Sequence, residues 1–498
     1  MRFSKHLTIL GALVIVAWGL ISVRPSPASA SHIGMISAGG QHSCLLTTAV
    51  GGVKCWGRND FGQLGNGSYV DSSALVDVTG LQSGVVAVAS GAVHSCALLE
   101  SGDVQCWGGD DVGAIGDGTS GGDQLTPATV VGLSDVVAVS GGFHATCALT
   151  GSGGAKCWGM NNYGQLGAST AEMCGSDSCS STPLDVTGLT TGVLAVSAGE
   201  YHACAVTAAH TVKCWGHNDE GQLGDGTNTD RSTPVDVTGL TDVAIVQAAA
   251  GHTCALKTNG AVLCWGANVA GQLGNPGAGL ASNVPVAVTG LSSGVAAISA
   301  QNGAHTCALM STGNVKCWGF NTFGQVGNGS TGFAVTTPVD VVYVNNDVVQ
   351  ISAGAMHTCA LRASGSITCW GDNLFAQLGD SDGDGCTDSS ENGTNPMLGG
   401  QRSAFYPWDF FDTPDENNVR DGTINLPGDI LRVSGRFGAT GDKTIDPFSA
   451  PPASGYHPAF DRGPQDGPYG WNRAPADGTI NLPDDILGIA SQFGHTCA

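Results

Sequence analysis

The strongest chemical pattern in the chain is DSDGDGCTDSSE, Asp380 to Glu391. Asp380, Asp382 and Asp384 stand at positions one, three and five of the calcium-loop pattern D-x-D-x-D-G-x5-E. Gly385 permits the sharp turn, Cys386 offers its carbonyl, Asp388 fills position nine, and Glu391 can bind bidentately. Hard oxygen ligands at this spacing suit Ca2+ as the cofactor; without the ion the segment is an acidic linker. A second pattern is periodic. His42, His94, His144, His202, His252, His305 and His357 each precede a cysteine by two or three places, and each of those cysteines precedes a Cys-Trp-Gly. Histidine and cysteine together could hold a metal or form a nucleophile. Seven equivalent copies instead mark repeated architecture, with the cysteines needed for bridges. No phosphate loop, nucleophile elbow or zinc-binding helix motif is present, and no unique acid or base breaks the repeat, so the reading is not an enzyme.

The elements that position these residues follow from the repeat, whose period is about 52 residues. Each copy offers four short strands and no helical pattern, which means propeller blades. The first strand is a continuous apolar run such as Val85 to Ala89, expected for a strand buried on both faces. The second is HSCAL, the third VQCWG, and the fourth VDVTGL, as at Val76 to Leu81 and Val235 to Leu240. Antiparallel pairing of Cys96 with Cys106 sets Leu98 opposite Val104 and leaves the three-residue loop Glu100-Ser101-Gly102, in which Gly102 takes the left-handed position. Gly153, Gly260, Gly313 and Gly365 repeat it, whereas His210 stands there in the fourth repeat and the first repeat has a longer loop.

Directly opposed cysteines are close enough to bridge. The expected disulfides are Cys44–Cys55, Cys96–Cys106, Cys147–Cys157, Cys204–Cys214, Cys254–Cys264, Cys307–Cys317 and Cys359–Cys369. Cys174 and Cys179, in an insertion unique to the third repeat, are expected to bridge each other, and Cys386 and Cys497 complete the eighteen. The seventh repeat runs from Gly379 straight into the acidic loop. A short last blade follows, or a fourth strand borrowed from beyond Glu391.

Composition agrees. The chain has 498 residues, 77 of them glycine, 12% charged, and a net charge of −23. Such a surface repels phosphate backbones, which excludes nucleic acid as a partner, and suits calcium or a basic protein. Residues 1–30 read as an export signal: Arg2 and Lys5, an apolar run from Leu7 to Val23, and the small-residue site Ala28-Ser29-Ala30. No other stretch is apolar enough to span a membrane, so the mature chain is expected to be extracellular, secreted or at the cell surface, where disulfides persist.

The histidine, the Leu-x-x-x-Gly hairpin, Trp-Gly-x-Asn and GQLG (Gly62 to Gly65, Gly221 to Gly224) resemble the repeat of the regulator-of-chromosome-condensation family, over residues 31–379. The resemblance implies a seven-bladed propeller. The paired cysteines depart from the nuclear members, and a cysteine-rich exported form is closer in context to a secreted bacterial propeller that inhibits β-lactamases. Residues 380–396 resemble a thrombospondin type 3-like calcium loop. Residues 397–498 contain two related loop-helix segments, Asp421 to Gly438 and Asp477 to Gly494, similar to a degenerate dockerin, which would imply a cohesin-like partner. The fold expected is all-β: a seven-bladed β-propeller followed by a small calcium-loop and loop-helix C-terminal module. The function expected is non-enzymatic binding of a protein or cell-surface ligand. The alternatives are an accessory of polysaccharide degradation and, by family analogy, a guanine-nucleotide exchange factor.

Overall fold

The computed structural model describes residues 34–47 and 51–379. The signal segment, the Asp380–Glu391 loop, the dockerin-like segments, Cys386 and Cys497 lie outside the described residues.

The described residues form seven antiparallel sheets, one per repeat: five of four strands, one of five strands and a last one of three. In blade 2 the strands are Val85–Ser90, His94–Leu99, Val104–Gly108 and Gln124–Thr129, paired in chain order. The inner strand is almost wholly buried, as its unbroken apolar run requires. The hairpin has the register expected of the cysteine spacing: Cys96 faces Cys106 and Leu98 faces Val104. Gly102 has φ +85°, and His210 adopts φ +57° at the same position of blade 4. All seven intrablade bridges are present, together with Cys174–Cys179. Each hairpin bridge closes a short loop, worth about 2.5–3 kcal/mol in the chain-entropy model.

The fourth strand differs from expectation. It runs Ser72–Asp77 in blade 1 and Arg231–Asp236 in blade 4, so only the start of VDVTGL belongs to it. The remainder is a turn: the Val78 amide donates to the Val53 carbonyl, and the Leu81 amide donates back to the Val78 carbonyl. Val78 and Leu81 are buried because they plug the space under the next blade, which gives the turn a strand-like apolar pattern.

Bridges stay within blades, so something else must join them. The indole of each Cys-Trp-Gly tryptophan donates to a backbone carbonyl in the preceding blade's GQLG turn. Trp107 reaches Gln63 O at 2.8 Å, Trp265 reaches Gln222 O at 2.9 Å, and Trp56 of blade 1 reaches Gln377 O of blade 7 at 3.0 Å. The glycine ending each turn leaves room for the indole: a Cβ on Gly65 would lie 2.7 Å from Trp107 Nε1. At five joints a Ser or Thr hydroxyl donates to the same carbonyl, as from Ser95 to Gln63 O and from Ser43 to Gln377 O, both 3.2 Å.

The periodic histidine completes the joint. His42, His94, His202, His252, His305 and His357 each place Nε2 2.8 Å from the Ser or Thr hydroxyl of the next blade. Where that hydroxyl donates to the carbonyl, it must accept from the imidazole, which fixes the Nε2–H tautomer. The third repeat is the exception. His144 stands one place early, Ala145 occupies the joint position, and the facing residue in blade 4 is Ala203. Both partners are lost together, which leaves no orphaned polar group.

Burial holds the five imidazoles of His42, His94, His202, His252 and His357 down to about 3, and that of His305 to about 4. Between these values and 6.5 the unfolded chain binds protons that the folded chain does not, so stability falls as pH drops through that window. One such imidazole contributes up to about 1.4 kcal/mol per pH unit. His252→Asn should therefore cost stability at pH 7.5 but less at pH 5.5, where the wild type bears the penalty. Denaturant unfolding of the oxidised protein at both pH values checks this; an equal deficit at both contradicts it.

Candidate interaction face

Antiparallel order puts the turns between strands one and two, and the long loops between strands three and four, at one end of the propeller. The hairpins lie at the other. At the loop end, backbone hydrogen bonds run from blade to blade around the axis: Gly40 N to Gly91 O, Ala92 N to Gly142 O, Phe143 N to Gly199 O, Glu200 N to Ala249 O, Ala250 N to Gly303 O and Ala355 N to Gly39 O. Blade 6 alone is one residue longer here, at Gln301-Asn302. Gln301 crosses the axis to donate to Gly141 O at 2.8 Å, and Asn302 donates to Ser90 O at 3.3 Å. The central channel beneath it is a cavity of about 100 Å³ walled by aliphatic, serine and glutamine side chains. No ionisable side chain lines it among the described residues.

The rim of the same end is aromatic and irregular. Across blades 3 and 4, Tyr163 packs 5.2 Å from Tyr201 and 4.4 Å from His217, and Phe143 packs on His144 and Tyr201. In blade 6 Phe320 touches Phe323 and Phe333, and in blade 1 the Arg58 guanidinium lies over Phe61 and Phe375. Tyr163, Phe323 and Phe333 are 38%, 41% and 59% exposed, a large apolar area to leave in water. Glu200 stands beside Tyr201; its carboxyl is pushed up by burial. Of the eight lysines and arginines among the described residues, only Arg58 and Arg231 lie at this end; Lys54, Lys156, Lys213, Lys257, Lys316 and Arg362 lie toward the hairpins. The loop end is therefore acidic as well as aromatic.

Among the described residues two clusters have metal-ligand composition, Glu172 with Cys174 and Cys179, and His217 with Asp219 and Asp230. Neither suits an ion as placed. The two sulfurs of the first are bonded to each other. In the second, Gln222 Oε1 accepts from Glu220 N, so its amide donates to His217 Nδ1; Nε2 then carries the proton and faces Asp219 at 3.2 Å. Metal binding needs the opposite tautomer.

The rim loops are built on the Trp-Gly-x-Asn asparagine. Asn59 accepts from the Leu64 amide and donates to Ser68 O and Val70 O; Asn218 repeats this with Leu223, Thr227 and Thr229. Blade 2 has Asp110 instead. Its Oδ1 accepts from Ile115 N at 3.0 Å, but its buried Oδ2 has no donor among the described residues. The expected metal set, Asp380, Asp382, Asp384, Cys386, Asp388 and Glu391, lies outside the described residues. The aromatic rim was missed in the sequence, although comparing equivalent positions across repeats shows His144 and Tyr201 where the other blades carry Gln41, Val93, Gly251, Ala304 or Met356, with Phe143 one place before His144.

The RCC1-like domain model matches residues 19–345, and the regulator of chromosome condensation (RCC1) repeat matches residues 348–377. The chain belongs to the RCC1-like domain family. This RCC1-like propeller is 31% identical over 353 residues to the ultraviolet-B receptor UVR8 of Arabidopsis thaliana, covering 69% of this chain and 78% of the receptor. Its fold is shared by human WBSCR16, with a TM-score of 0.59, 23% identity and coverage of 66% of this chain and 90% of the other. It is also shared by Prp20p of Saccharomyces cerevisiae, with a TM-score of 0.57, 22% identity and coverage of 66% and 82%.

The Asp110 substitution gives this RCC1-like propeller a measurable signature. Burial, opposed by the Ile115 amide and reinforced by Asp117, Asp111 and Asp123, pushes the carboxyl from 3.8 up to about 7. Between those values the folded chain holds a proton the unfolded chain has released, so stability falls as pH rises through the window. Asp110→Asn restores the amide used by the sibling blades. It should stabilise by about 1–2 kcal/mol at pH 8 and by less at pH 5. Thermal melts at the two pH values read this out; an equal or larger gain at pH 5 contradicts it.

Proposed function

We propose that the protein is an exported, non-enzymatic binding propeller whose acidic, aromatic loop end docks a basic protein partner. The observation that carries this reading is the aromatic set at the loop end of the described residues, with Tyr163, Phe323 and Phe333 exposed and Tyr201 half-buried beside Tyr163, on an otherwise repetitive core. Aromatic side chains with a polar edge are the usual anchors of protein interfaces. The acidic surround speeds encounter with a positively charged partner. The channel is a small cavity with no ionisable side chain in its wall among the described residues and is crossed by Gln301, which favours the rim as the binding surface. Protein binding also has precedent in this fold: the work on Prp20p concerns its binding to Gsp1p and histones.

Partners captured on the oxidised full chain from the producing organism's surface and medium, identified by mass spectrometry, provide the ligand for the test. Tyr163→Ala with Tyr201→Ala should weaken that ligand at least tenfold, and raised salt should slow its association. Lys213→Ala at the hairpin end should leave it unchanged. Binding that survives the double change but not the hairpin change would place the interface elsewhere.

The Asp380–Glu391 loop is proposed to hold Ca2+, on the strength of its ligand spacing. The ion would relieve the repulsion among five carboxylates and order the junction with the C-terminal module. Calcium should protect the chain near Asp380 from proteolysis, and Asp384→Ala should remove most of that protection. Identical cleavage with calcium and with chelator would show a plain acidic linker.

A further inference from the structure

Blade 7 lacks an outer strand among the described residues. Its third strand, Ile367–Gly371, pairs with His357–Arg362 on one side only. Along the other side runs a groove of about 400 Å³, lined by Phe323, Gly324 and Gly329 of blade 6 and by Thr368 and Trp370 of blade 7. Among the described residues the buried Thr368 hydroxyl has no hydrogen-bond partner.

Blade 6 is shaped to receive a strand in this groove. At five other joints the first glycine of the GQLG-type turn abuts the outer strand of the next blade. A Cβ on Gly62, Gly113, Gly164, Gly221 or Gly271 would lie 3.1, 2.7, 2.5, 2.6 or 2.8 Å from the backbone of Leu125, Ser181, Ser232, Asn283 or Thr336. Among the described residues the equivalent Gly324 meets only Thr331 of its own loop, at 3.8 Å. A second glycine, five residues on, donates to the same strand: Gly67 to Leu125 O, Gly118 to Ser181 O and Gly226 to Asn283 O. Its counterpart in blade 6 is Gly329, in the wall of the groove.

The outer strands that fill these positions share a sequence. Leu125-Thr-Pro-Ala, Ser181-Thr-Pro-Leu, Ser232-Thr-Pro-Val, Asn283-Val-Pro-Val and Thr336-Thr-Pro-Val each place the residue after proline opposite the third-strand cysteine. Beyond Gly379 the first proline is Pro396, within Thr394-Asn395-Pro396-Met397-Leu398. Its distance is not an obstacle. Pro396 follows Gly379 by 17 residues, and Pro183 follows Gly167 by 16 in blade 3, where the Cys174–Cys179 insertion loops out. The next pair agrees as well. Where the third strand carries lysine its partner is aspartate, as in Lys213–Asp236; where it does not, as at Gln105 and Leu263, the partners are Thr129 and Ala287. Thr368 has no charge to offer, and the residue that would face it is Leu398.

We propose that Thr394–Leu398 of this same chain is the outer strand of blade 7, with Met397 opposite Cys369 and Thr394 against Gly324. The acidic loop then occupies the place that the disulfide insertion takes in blade 3.

The test uses the full chain carrying Thr368→Cys and Leu398→Cys, oxidised and mapped by non-reducing peptide analysis. The two introduced thiols should bridge within one chain, and Thr368→Cys with Asn395→Cys should not bridge. No bridge in the first pair, equal bridging in both, or a bridge between two chains would overturn the proposal. In a separate full-chain variant, Met397→Asp should raise amide exchange in residues 367–371 at least tenfold and leave residues 357–362 unchanged. Unchanged exchange in 367–371 would also overturn it.

Discussion

One backbone carbonyl per blade carries the assembly. The carbonyl of Gln63, and its counterparts through Gln377, accepts the indole N–H of the next blade, and at most joints a hydroxyl as well. The GQLG turn exists to aim that carbonyl, its last glycine to admit the indole, and the histidine to hold the hydroxyl in its donating orientation. Each group is buried, so each unmade bond would cost more than a made one contributes. Repetition of this joint, rather than any one bridge, makes seven separate sheets into one ring.

Closure follows from the same joint. The first and last repeats meet through Trp56 and Gln377, through Ser43 and His357, and through Ala38 N with Ser352 Oγ at 2.9 Å. No strand is shared between the two ends for this contact among the described residues. The disulfides play a different part. They constrain each hairpin locally, but they leave the blade-to-blade contacts to hydrogen bonding and apolar packing. Such division of labour frees the rim loops to vary, because their asparagine anchor works inside one blade.

Much of this was legible in the residues. Cysteine spacing and the hairpin glycine each set the register independently, and both agree with the pairing of Cys96 and Cys106. The histidines could be assigned to architecture because they recur. Their partners could not be read, since the hydroxyl that each one meets lies more than 50 residues away in the next blade. The outer strand was placed too late because Val78 and Leu81 are apolar for a tertiary reason, the space beneath the neighbouring blade, and not for a strand's alternation. The rim cluster escaped because Phe143, Tyr163, Tyr201 and His217 converge only once blades 3 and 4 are side by side. The extra residue at Gln301-Asn302 went unread in the sequence, and that Gln301 crosses the axis depends on the ring being closed.

The carbonyl joints lock all seven blades as one cooperative unit, including the joint between the chain's first and last repeats. Hydrogen exchange of the indole N–H groups, followed by NMR on the oxidised protein, tests it most directly. Trp56, Trp107, Trp158, Trp215, Trp265, Trp318 and Trp370 should exchange together and slowly, at a rate set by global unfolding. Early exchange of Trp56 while the other six stay protected would show an open ring and contradict the account.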